Sequence, residues 1–314
     1  MKIVVMDDVT LDEEQRLTLD SMGEVTVYSG IPETPEEILI RAKNAEIIIS
    51  GWTYYPEGLL AKLPDLRLIS LWATGTDYVN IEEAQAAGIT VSNVPGYAAN
   101  AVAELVFGLI LSVARKISSA HHDVKTTGAY HWQKYQGQEL NGKTIGILGT
   151  GAIGEKVARI ARGFDMKVLA YDIRRRTDLE AEGLLKYVKF EEIFLESNVV
   201  TIHMPMIEDT RGIITYKELE KMPLNSVLIN TARAGLIDQE ALTVCLEKGL
   251  LAGAGLDDID LEHASAKRLM ALDQVVLTPH IGFFTEDAIR VKSLKCVENV
   301  RRYIDNRVSK EAYK

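Results

Sequence analysis

The sequence predicts an α/β protein with two domains, each built around a parallel β-sheet. Short apolar segments of strand length alternate with segments of helix length, which is typical of β-α-β units. The alternation occurs in two series, with a long apolar segment between them. The chain has 314 residues, of which 47% are hydrophobic. A chain of this length and composition can bury two separate cores.

The first series occupies the N-terminal part of the chain and contains four predicted strands. A helix-length segment, LDEEQRLTLDSM, follows the first of them. The predicted strands are KIVVMDD (2–8), EIIIS (46–50), LRLISLWA (66–73) and ITVSN (89–93).

The segment between the two series, AVAELVFGLILSVARK (101–116), is hydrophobic on nearly all sides. This pattern predicts a buried helix rather than a surface helix. Two explanations remain open at this point. The helix lies either at a subunit interface or inside its own domain.

The second series contains six predicted strands, each of which ends in a polar or small residue. Because parallel strands end at the same edge of a sheet, these residues should line one edge, where ligands bind in open α/β sheets. The segments are KTIGILG (143–149), KVLAYD (167–172), VVTIHMP (199–205), SVLINTA (226–232), AGAGLD (252–257) and QVVLTPH (274–280).

Several classes of protein are disfavoured by composition. The net charge is −10, and the densest basic cluster is Arg174–Arg176, so nucleic acid is not an expected partner. Cys245 and Cys296 lie far apart, which predicts neither a disulfide framework nor a metal site. The early acidic residues argue against a signal peptide, and LVFGLILSVA is too short to span a bilayer. We therefore expect a cytoplasmic protein without a membrane partner.

The stretch GTGAIG places Gly149, Gly151 and Gly154 in G-x-G-x-x-G spacing, directly after the predicted strand TIGIL. In this context the first glycine permits a tight turn, the second lets the backbone approach a pyrophosphate, and the third lets helix and strand pack closely. Ala152 and Ile153 then begin a helix whose N-terminus would face the anion. The pattern predicts a dinucleotide site.

Asp172 ends the strand that follows the glycine loop. A carboxylate here accepts hydrogen bonds from the ribose hydroxyls of NAD and repels the 2′-phosphate of NADP. The nearby Arg174–Arg176 could instead bind that phosphate. NAD is the favoured cofactor, and NADP is the alternative.

Three charged residues follow predicted strands at the same sheet edge: Arg233, Glu262 and His280. Carbonyl reduction needs a proton donor that works near neutral pH, and His280 suits that role. Glu262, by bonding the other ring nitrogen, would favour the imidazolium. The guanidinium of Arg233 could hold a carboxylate with two hydrogen bonds and polarise the adjacent carbonyl. Together they predict reduction of a 2-keto acid, or oxidation of a 2-hydroxy acid in reverse.

Over nearly its whole length the chain resembles the D-isomer-specific 2-hydroxyacid dehydrogenases. The resemblance implies a Rossmann-type NAD-binding domain (100–284) inserted into a smaller flavodoxin-like substrate domain (1–99 plus 285–314), usually in a homodimer. It rests on VSNVPGYAANAVAE (91–104), GKTIGILGTGAIG (142–154), IHMPMIEDTRGII (202–214), LINTARAGLID (228–238), AGAGLD (252–257) and TPHIG (278–282).

The resemblance also implies roles for individual residues. Arg233, Glu262 and His280 match the family's catalytic arginine, the partner of its histidine, and its acid/base. The loop ATGT (73–76) corresponds to the family's substrate loop, whose backbone amides bind the substrate carboxylate, and Asp257 matches the aspartate that holds the nicotinamide carboxamide. Further expected substrate contacts are Trp52, Thr74, Gly75 and Thr76, and further expected cofactor contacts are His203, Pro205, Thr210, Thr231, Ala232 and Gly282.

The chain departs from the family pattern after Asp257, where it has LDDID and then EHAS, and at Ala234, where relatives often have glycine. Glu262 is assigned by counting five residues from Asp257, and Asp258 and Asp260 are competing carboxylates.

The expected activity is reduction of a small 2-keto acid, with hydroxypyruvate or glyoxylate favoured, to the D-2-hydroxy acid. The alternatives are a D-lactate-type or 3-phosphoglycerate dehydrogenase, or an NAD-sensing binding module like the family's corepressors. A formate dehydrogenase is disfavoured, because glutamine is expected beside its histidine where this chain has Glu262.

Overall fold

The computed structural model describes residues 1–305, which divide into two compact units. One unit contains residues 1–98 together with the segment that begins at Thr285, and the other contains residues 99–284. These boundaries lie within one residue of the predicted ones. Positions 306–314 of the predicted substrate domain lie outside the described residues.

The sheet of the first unit has five parallel strands in the order β2-β1-β3-β4-β5, which is the flavodoxin-like order. The strands are β1 (Lys2–Val5), β2 (Glu24–Val27), β3 (Ile47–Ser50), β4 (Leu68–Leu71) and β5 (Thr90–Ser92). The sequence did not predict β2. This edge strand has no fully buried residue, so it lacks the apolar run that marked the others.

The helices of the first unit are α1 (Glu13–Asp20), α2 (Pro35–Arg41), α3 (Ile81–Ala86) and, last in the chain, α12 (Glu286–Ile304), with a 3₁₀ turn at Leu60–Lys62. Asp12 begins α1 with a capping box that also involves Gln15. Thr285 begins α12, where its hydroxyl accepts a hydrogen bond from the N–H of Ala288. Successive residues of β1 enter different cores: Val5 packs in the cluster that contains residues of α12, and Val4 packs in another.

The second unit contains a seven-stranded parallel sheet in the order β12-β11-β10-β9-β6-β7-β8. Renumbered from its first strand, this is the Rossmann order 3-2-1-4-5-6 with one further strand. The strands are β6 (Thr144–Leu148), β7 (Lys167–Tyr171), β8 (Lys186–Tyr187), β9 (Val199–Ile202), β10 (Ser226–Asn230), β11 (Leu251–Leu256) and β12 (Val275–Leu277). The sequence missed β8, a two-residue edge strand too short to show a pattern.

Helices cover both faces of this sheet, and the side chains of β10 alternate between the two cores. Val227 and Ile229 lie in one cluster and Leu228 in the other. The helices are α4 (Ala99–Ala114), α5 (Ile117–Thr127), α6 (Ala152–Gly163), α7 (Thr177–Ala181), α8 (Phe190–Glu196), α9 (Tyr216–Leu219), α10 (Gln239–Glu247) and α11 (Ala266–Met270), with 3₁₀ turns at Gln133–Tyr135, Glu208–Thr210 and Ala234–Leu236.

Helix α4 is the long apolar segment. It packs against α6, β10 and β11 of its own unit. Val106 and Ile110 are completely buried in that core. Packing inside the domain therefore accounts for these apolar side chains.

Within residues 1–305, no helix is both long enough and apolar enough to cross a membrane.

Candidate active site

The glycine loop lies between β6 and α6, and two of its glycines are required by close contacts. Gly149 has a φ of +95°, and a Cβ there would lie 2.8 Å from the carbonyl carbon of His203. A Cβ on Gly154 would lie 2.0 Å from the carbonyl oxygen of Gly149. Any side chain at either position would therefore force the turn apart.

Gly151 is different, because a Cβ there would meet nothing within 4 Å. It is the N-cap of α6, and no side chain caps the helix. Helix α6 begins with Ala152 and Ile153. Its first N–H groups lie beside Gly151, where no side chain fills the space. The space and the helix dipole fit the phosphates of a dinucleotide.

Asp172 directly follows β7 and is bonded to the glycine loop. Its Oδ2 accepts hydrogen bonds from the N–H of Thr150 at 2.7 Å and from the Thr150 hydroxyl at 3.0 Å. Its Oδ1 accepts from the N–H of Arg174 at 2.9 Å. The carboxylate is therefore fixed at the end of the strand, where it would meet the ribose of a bound dinucleotide.

His203 follows β9 and faces the first glycine of the loop. Its N–H donates to the carbonyl of Leu148 at 2.7 Å, and its Nε2 lies 2.9 Å from the hydroxyl of Thr201. Burial of the ring lowers the pKa of His203 to about 3, although the residue keeps some exposed surface. His203 is therefore neutral at physiological pH, which suits a residue that lines a binding site and not an acid catalyst.

The chain after His203 makes a turn that is closed by Thr210. The hydroxyl of Thr210 donates to the carbonyl of Pro205 at 2.7 Å and accepts from the N–H of Ile207 at 2.9 Å. On the neighbouring strand end, the buried hydroxyl of Thr231 has no hydrogen-bond partner within the described chain. An unsatisfied buried hydroxyl is costly. A polar group of a bound ligand would satisfy it.

Arg233 lies in a turn that Asn230 holds from inside the sheet. Asn230 ends β10 and is 1% exposed. Its side-chain amide donates to the carbonyl of Arg233 at 2.8 Å, and its Oδ1 accepts from the N–H of Ala232 at 3.0 Å. The guanidinium of Arg233 donates to the carbonyl of Ala232 at 3.0 Å. Sequence reasoning missed Asn230, although a polar residue at the end of an apolar strand was a usable signal.

Asp257 organises the turn that carries His280. This carboxylate, 2% exposed, accepts hydrogen bonds from the Thr278 hydroxyl at 2.5 Å and from the N–H groups of Ile281 at 2.9 Å and Gly282 at 2.8 Å. The N–H of His280 donates to the carbonyl of Asp257 at 2.8 Å, and His280 adopts a left-handed φ of 55°. A Cβ at Gly282 would lie 2.9 Å from the carboxylate, so glycine is needed there.

Asp257 therefore shapes the turn 278–282 with both of its carboxylate oxygens. Its role in holding the nicotinamide carboxamide stays a prediction.

The carboxylate beside His280 is that of Asp258 and not the predicted Glu262. His280 Nδ1 lies 3.9 Å from Asp258 Oδ1, an ion pair when the imidazole is protonated but too long for a direct hydrogen bond. Asp258 Oδ2 also accepts from the N–H of Ala234 at 2.8 Å. Glu262 is exposed, and its backbone N–H bonds to Asp260 Oδ1 at 3.0 Å. The chain after β11 therefore brings the first residue after Asp257, and not the fifth, to the histidine.

Opposing effects act on the Asp258 carboxyl. Burial by itself would raise its pKa, but interactions with His280, the N–H of Ala234 and the charge of Arg233 together lower the pKa below its usual value. Asp258 is thus ionised at neutral pH. Through its bond to the N–H of Ala234, Asp258 connects the turn of Arg233 to the turn of His280.

The predicted substrate residues of the first unit also follow strand ends. Asp7, completely buried after β1, accepts hydrogen bonds from the N–H groups of Gly51, Trp52 and Thr53 at 2.8, 3.0 and 2.9 Å. The loop after β4 is tied to the chain after β5: the Thr74 hydroxyl donates to the carbonyl of Val94 at 2.9 Å. Asp7 was not predicted, although it too follows an apolar strand.

Comparison with known proteins decides the family. Residues 107–282 match the family described as D-isomer specific 2-hydroxyacid dehydrogenase, NAD binding domain. The chain belongs to this family. It is therefore an oxidoreductase of the CH–OH group that uses NAD(P).

Individual relatives of this dehydrogenase match over most of its length. It is 41% identical to the glyoxylate reductase of Thermococcus litoralis over 278 residues, 86% of this chain and 84% of that protein. It is 35% identical to the glycerate dehydrogenase of Methylorubrum extorquens over 311 residues, 96% of each chain. Among solved structures, an acyclic imino acid reductase in complex with NADPH and D-Arg matches with a TM-score of 0.90 and 31% identity, covering 98% of both chains.

Proposed function

We propose that this dehydrogenase reduces hydroxypyruvate or glyoxylate with NADH, giving D-glycerate or glycolate. Two relatives that match most of the chain carry the names glyoxylate reductase and glycerate dehydrogenase. The observation that carries the chemical part of the proposal is the position of Asp258, which contacts both the Arg233–Ala234 turn and His280. This geometry supports the roles that we propose for His280, as the proton donor, and for Arg233, as the cation that binds the substrate carboxylate.

The roles of the residues follow from their chemistry. A bound dihydronicotinamide supplies the hydride to the keto carbon. His280 donates the proton to the keto oxygen, and the Asp258 carboxylate lies beside its imidazole. Arg233 binds the substrate carboxylate and orients the carbonyl. The backbone amides of Thr74–Thr76 bind the same carboxylate.

The cofactor residues proposed from the sequence fit a dinucleotide in their local geometry. The open N-terminus of α6 would hold the pyrophosphate, and Asp172 the ribose. Thr231, with its unpaired buried hydroxyl, would bond a polar group of the cofactor, while His203, Pro205, Thr210 and Ala232 would line the site. NAD is preferred over NADP because the Asp172 carboxylate would repel a 2′-phosphate.

The assay that tests the proposal measures oxidation of NADH and of NADPH with hydroxypyruvate, glyoxylate, pyruvate, phosphohydroxypyruvate and longer 2-keto acids. We expect the highest kcat/KM with hydroxypyruvate or glyoxylate. We expect NADH to be preferred by about tenfold or more, the ratio that corresponds to about 1.4 kcal/mol of charge repulsion. A higher kcat/KM for pyruvate or phosphohydroxypyruvate would replace the proposed substrate, and no turnover with any keto acid would favour the NAD-sensing module.

We further propose that the dehydrogenase is a homodimer whose interface includes the segment 117–132. Ile117, Tyr130 and Trp132 are 53%, 88% and 81% exposed, an unusual concentration of large apolar side chains in one segment. Trp132→Asp should shift the protein towards monomer in light scattering after size exclusion. The matched control is Ile40→Asp, which changes a 70% exposed apolar residue of the other unit and should leave the mass unchanged. Equal masses for wild type and Trp132→Asp would reject this interface.

A further inference from the structure

Lys292 is a buried cation in the first unit. It lies on α12 and is 2% exposed. Its Nζ lies 3.5 Å from the centroid of the Trp72 ring, and 5.3 Å and 5.1 Å from the centroids of Trp52 and Tyr97. A lysine is rarely buried in this way without a purpose, because removing an ammonium from water is costly. Three aromatic rings offset part of that cost through their negative faces.

The titratable groups that face Lys292 come from several elements. Asp7, after β1, and Cys296, one turn further along α12, both act on its charge, and Tyr97 lies just before α4. The Asp7 carboxylate is already engaged by the loop 50–53, with its shortest bond to the Thr53 hydroxyl at 2.5 Å. Burial lowers the pKa of Lys292 to about 7, against the opposing charges of Cys296 and Asp7. The lysine therefore gains and loses its charge near neutral pH.

The aromatic residues around Lys292 are connected to the predicted substrate loops. Trp72 directly precedes the loop 73–76, and Trp52 lies in the loop that Asp7 holds. Trp72 is fixed from a second side, because its indole N–H donates to the Ser293 hydroxyl of α12 at 2.8 Å, and that hydroxyl donates to the carbonyl of Thr10 at 2.5 Å. Helix α12 thus holds Trp72 with two consecutive residues.

We propose that Lys292 is a positioning residue for keto-acid reduction: from its aromatic box it fixes Trp52 and Trp72, and its positive charge strengthens the binding of the substrate carboxylate at the loop 73–76. This inference rests on the proposed function, since it assumes that the loop binds a carboxylate. Lys292 would then be a charged group, in addition to Arg233 and His280, that changes the affinity for the substrate.

The charge of Lys292 predicts how substrate binding changes with pH. Below pH 7 the ammonium is present and attracts the substrate anion, and above pH 7 the charge is lost. The KM for the keto acid should therefore rise as the pH increases from 6 to 8.5. Stability changes in the opposite sense to substrate affinity: the unfolded chain keeps this lysine protonated to higher pH, so the buried charge destabilises the fold below pH 7 and the penalty fades above it.

The test compares three variants in the full-length enzyme between pH 6 and 8.5. Lys292→Met keeps the length of the side chain and removes the charge. Lys292→Arg keeps a charge at every pH of the experiment. Lys295→Met is the matched control, because Lys295 is exposed on the same helix and its Nζ donates to the carbonyl of Pro95 at 3.2 Å.

For Lys292→Met we expect a KM for hydroxypyruvate about tenfold higher than wild type at pH 6, because the attraction of one partly screened charge is lost, with little change in kcat. The difference should vanish near pH 8.5, and the melting temperature at pH 6 should equal or exceed that of wild type. Lys292→Arg should have a KM that is flat with pH, and Lys295→Met should behave as wild type.

A purely structural role predicts another result. A lower melting temperature for Lys292→Met with a KM that follows the wild-type pH curve would overturn the inference. The binding of oxamate, an isostere of pyruvate, to the enzyme with NADH is measured in parallel by tryptophan fluorescence. Weaker oxamate binding by Lys292→Met at pH 6 supports the inference even if hydroxypyruvate is not the substrate, whereas unchanged oxamate binding rejects it. A wild-type enzyme that turns over no keto acid contradicts the proposed function instead.

Discussion

Replacement of His280 by Gln is expected to lower kcat for keto-acid reduction by about 10²–10⁴-fold, the usual contribution of a positioned general acid. Glutamine can still donate a hydrogen bond to the keto oxygen, but it cannot transfer a proton. The turn itself should survive, because Asp257 holds it through the Thr278 hydroxyl and the N–H of Gly282. Binding of NADH, measured by fluorescence titration, should therefore remain close to that of wild type.

The pH profile of the His280→Gln variant gives a second readout. In the wild type, reduction needs a protonated acid at the site, so it should slow as the pH rises. The residual activity of the variant should lack that decline. A variant that keeps the wild-type pH profile and most of its kcat would show that another group delivers the proton.

A second pair of variants tests which carboxylate supports His280. The family resemblance implies Glu262, but the structure places Asp258 3.9 Å from the imidazole. We expect Asp258→Asn to lower kcat by about 10- to 100-fold, because it removes the negative charge beside the imidazole. Glu262→Gln, which changes an exposed residue, should stay near wild type. A larger loss for Glu262→Gln would mean that Glu262 moves to the histidine when ligands bind.

Much of the fold was predictable, because both sheets are buried on two faces and their central strands therefore read as apolar runs. Helix α4 was recognised as buried, but its place could not be deduced, since an all-apolar helix reads the same inside a domain and at an interface. The edge strands β2 and β8 escaped because a short or half-exposed strand carries no such run.

The site residues that could be predicted are those whose role follows from a position directly after a strand. Gly149 and Gly154 stand where the contacts demand glycine, and Arg233 and His280 lie on turns joined by one carboxylate. The identity of that carboxylate was not predictable, because it depends on how the chain turns after β11. The cytoplasmic location remains a prediction from the sequence.

The sequence analysis also missed buried polar residues that bond the loops of the site. Asn230 and Asp7 are both buried polar residues at strand ends. Asn230 bonds backbone groups of the loop that follows it, and Asp7 bonds backbone groups of the loop after β3. Their sequence signal is the same as that of a catalytic residue. The difference lies in the direction of the side chain, which a pattern of residue types does not contain.

Arg233→Ala is expected to lower kcat/KM for the keto acid by about 10³-fold, since it removes a charged donor that binds the substrate in the transition state. The affinity for NADH should largely survive. The turn keeps its shape without the guanidinium, because Asn230 bonds the main chain of residues 232 and 233 and Asp258 bonds the N–H of Ala234. Steady-state kinetics and a direct NADH titration measure the two effects separately.

Arg233→Lys distinguishes charge from geometry. A lysine keeps the positive charge but cannot form two parallel hydrogen bonds to a carboxylate, so we expect it to recover only part of the loss. The control is Arg268→Ala, which removes an exposed arginine that pairs with Glu240 and Glu247 in the same unit and should leave kcat/KM unchanged. Joint loss of turnover and NADH affinity in Arg233→Ala would assign Arg233 a structural role. Loss of turnover alone, partly restored by lysine, identifies the residue that binds the substrate carboxylate.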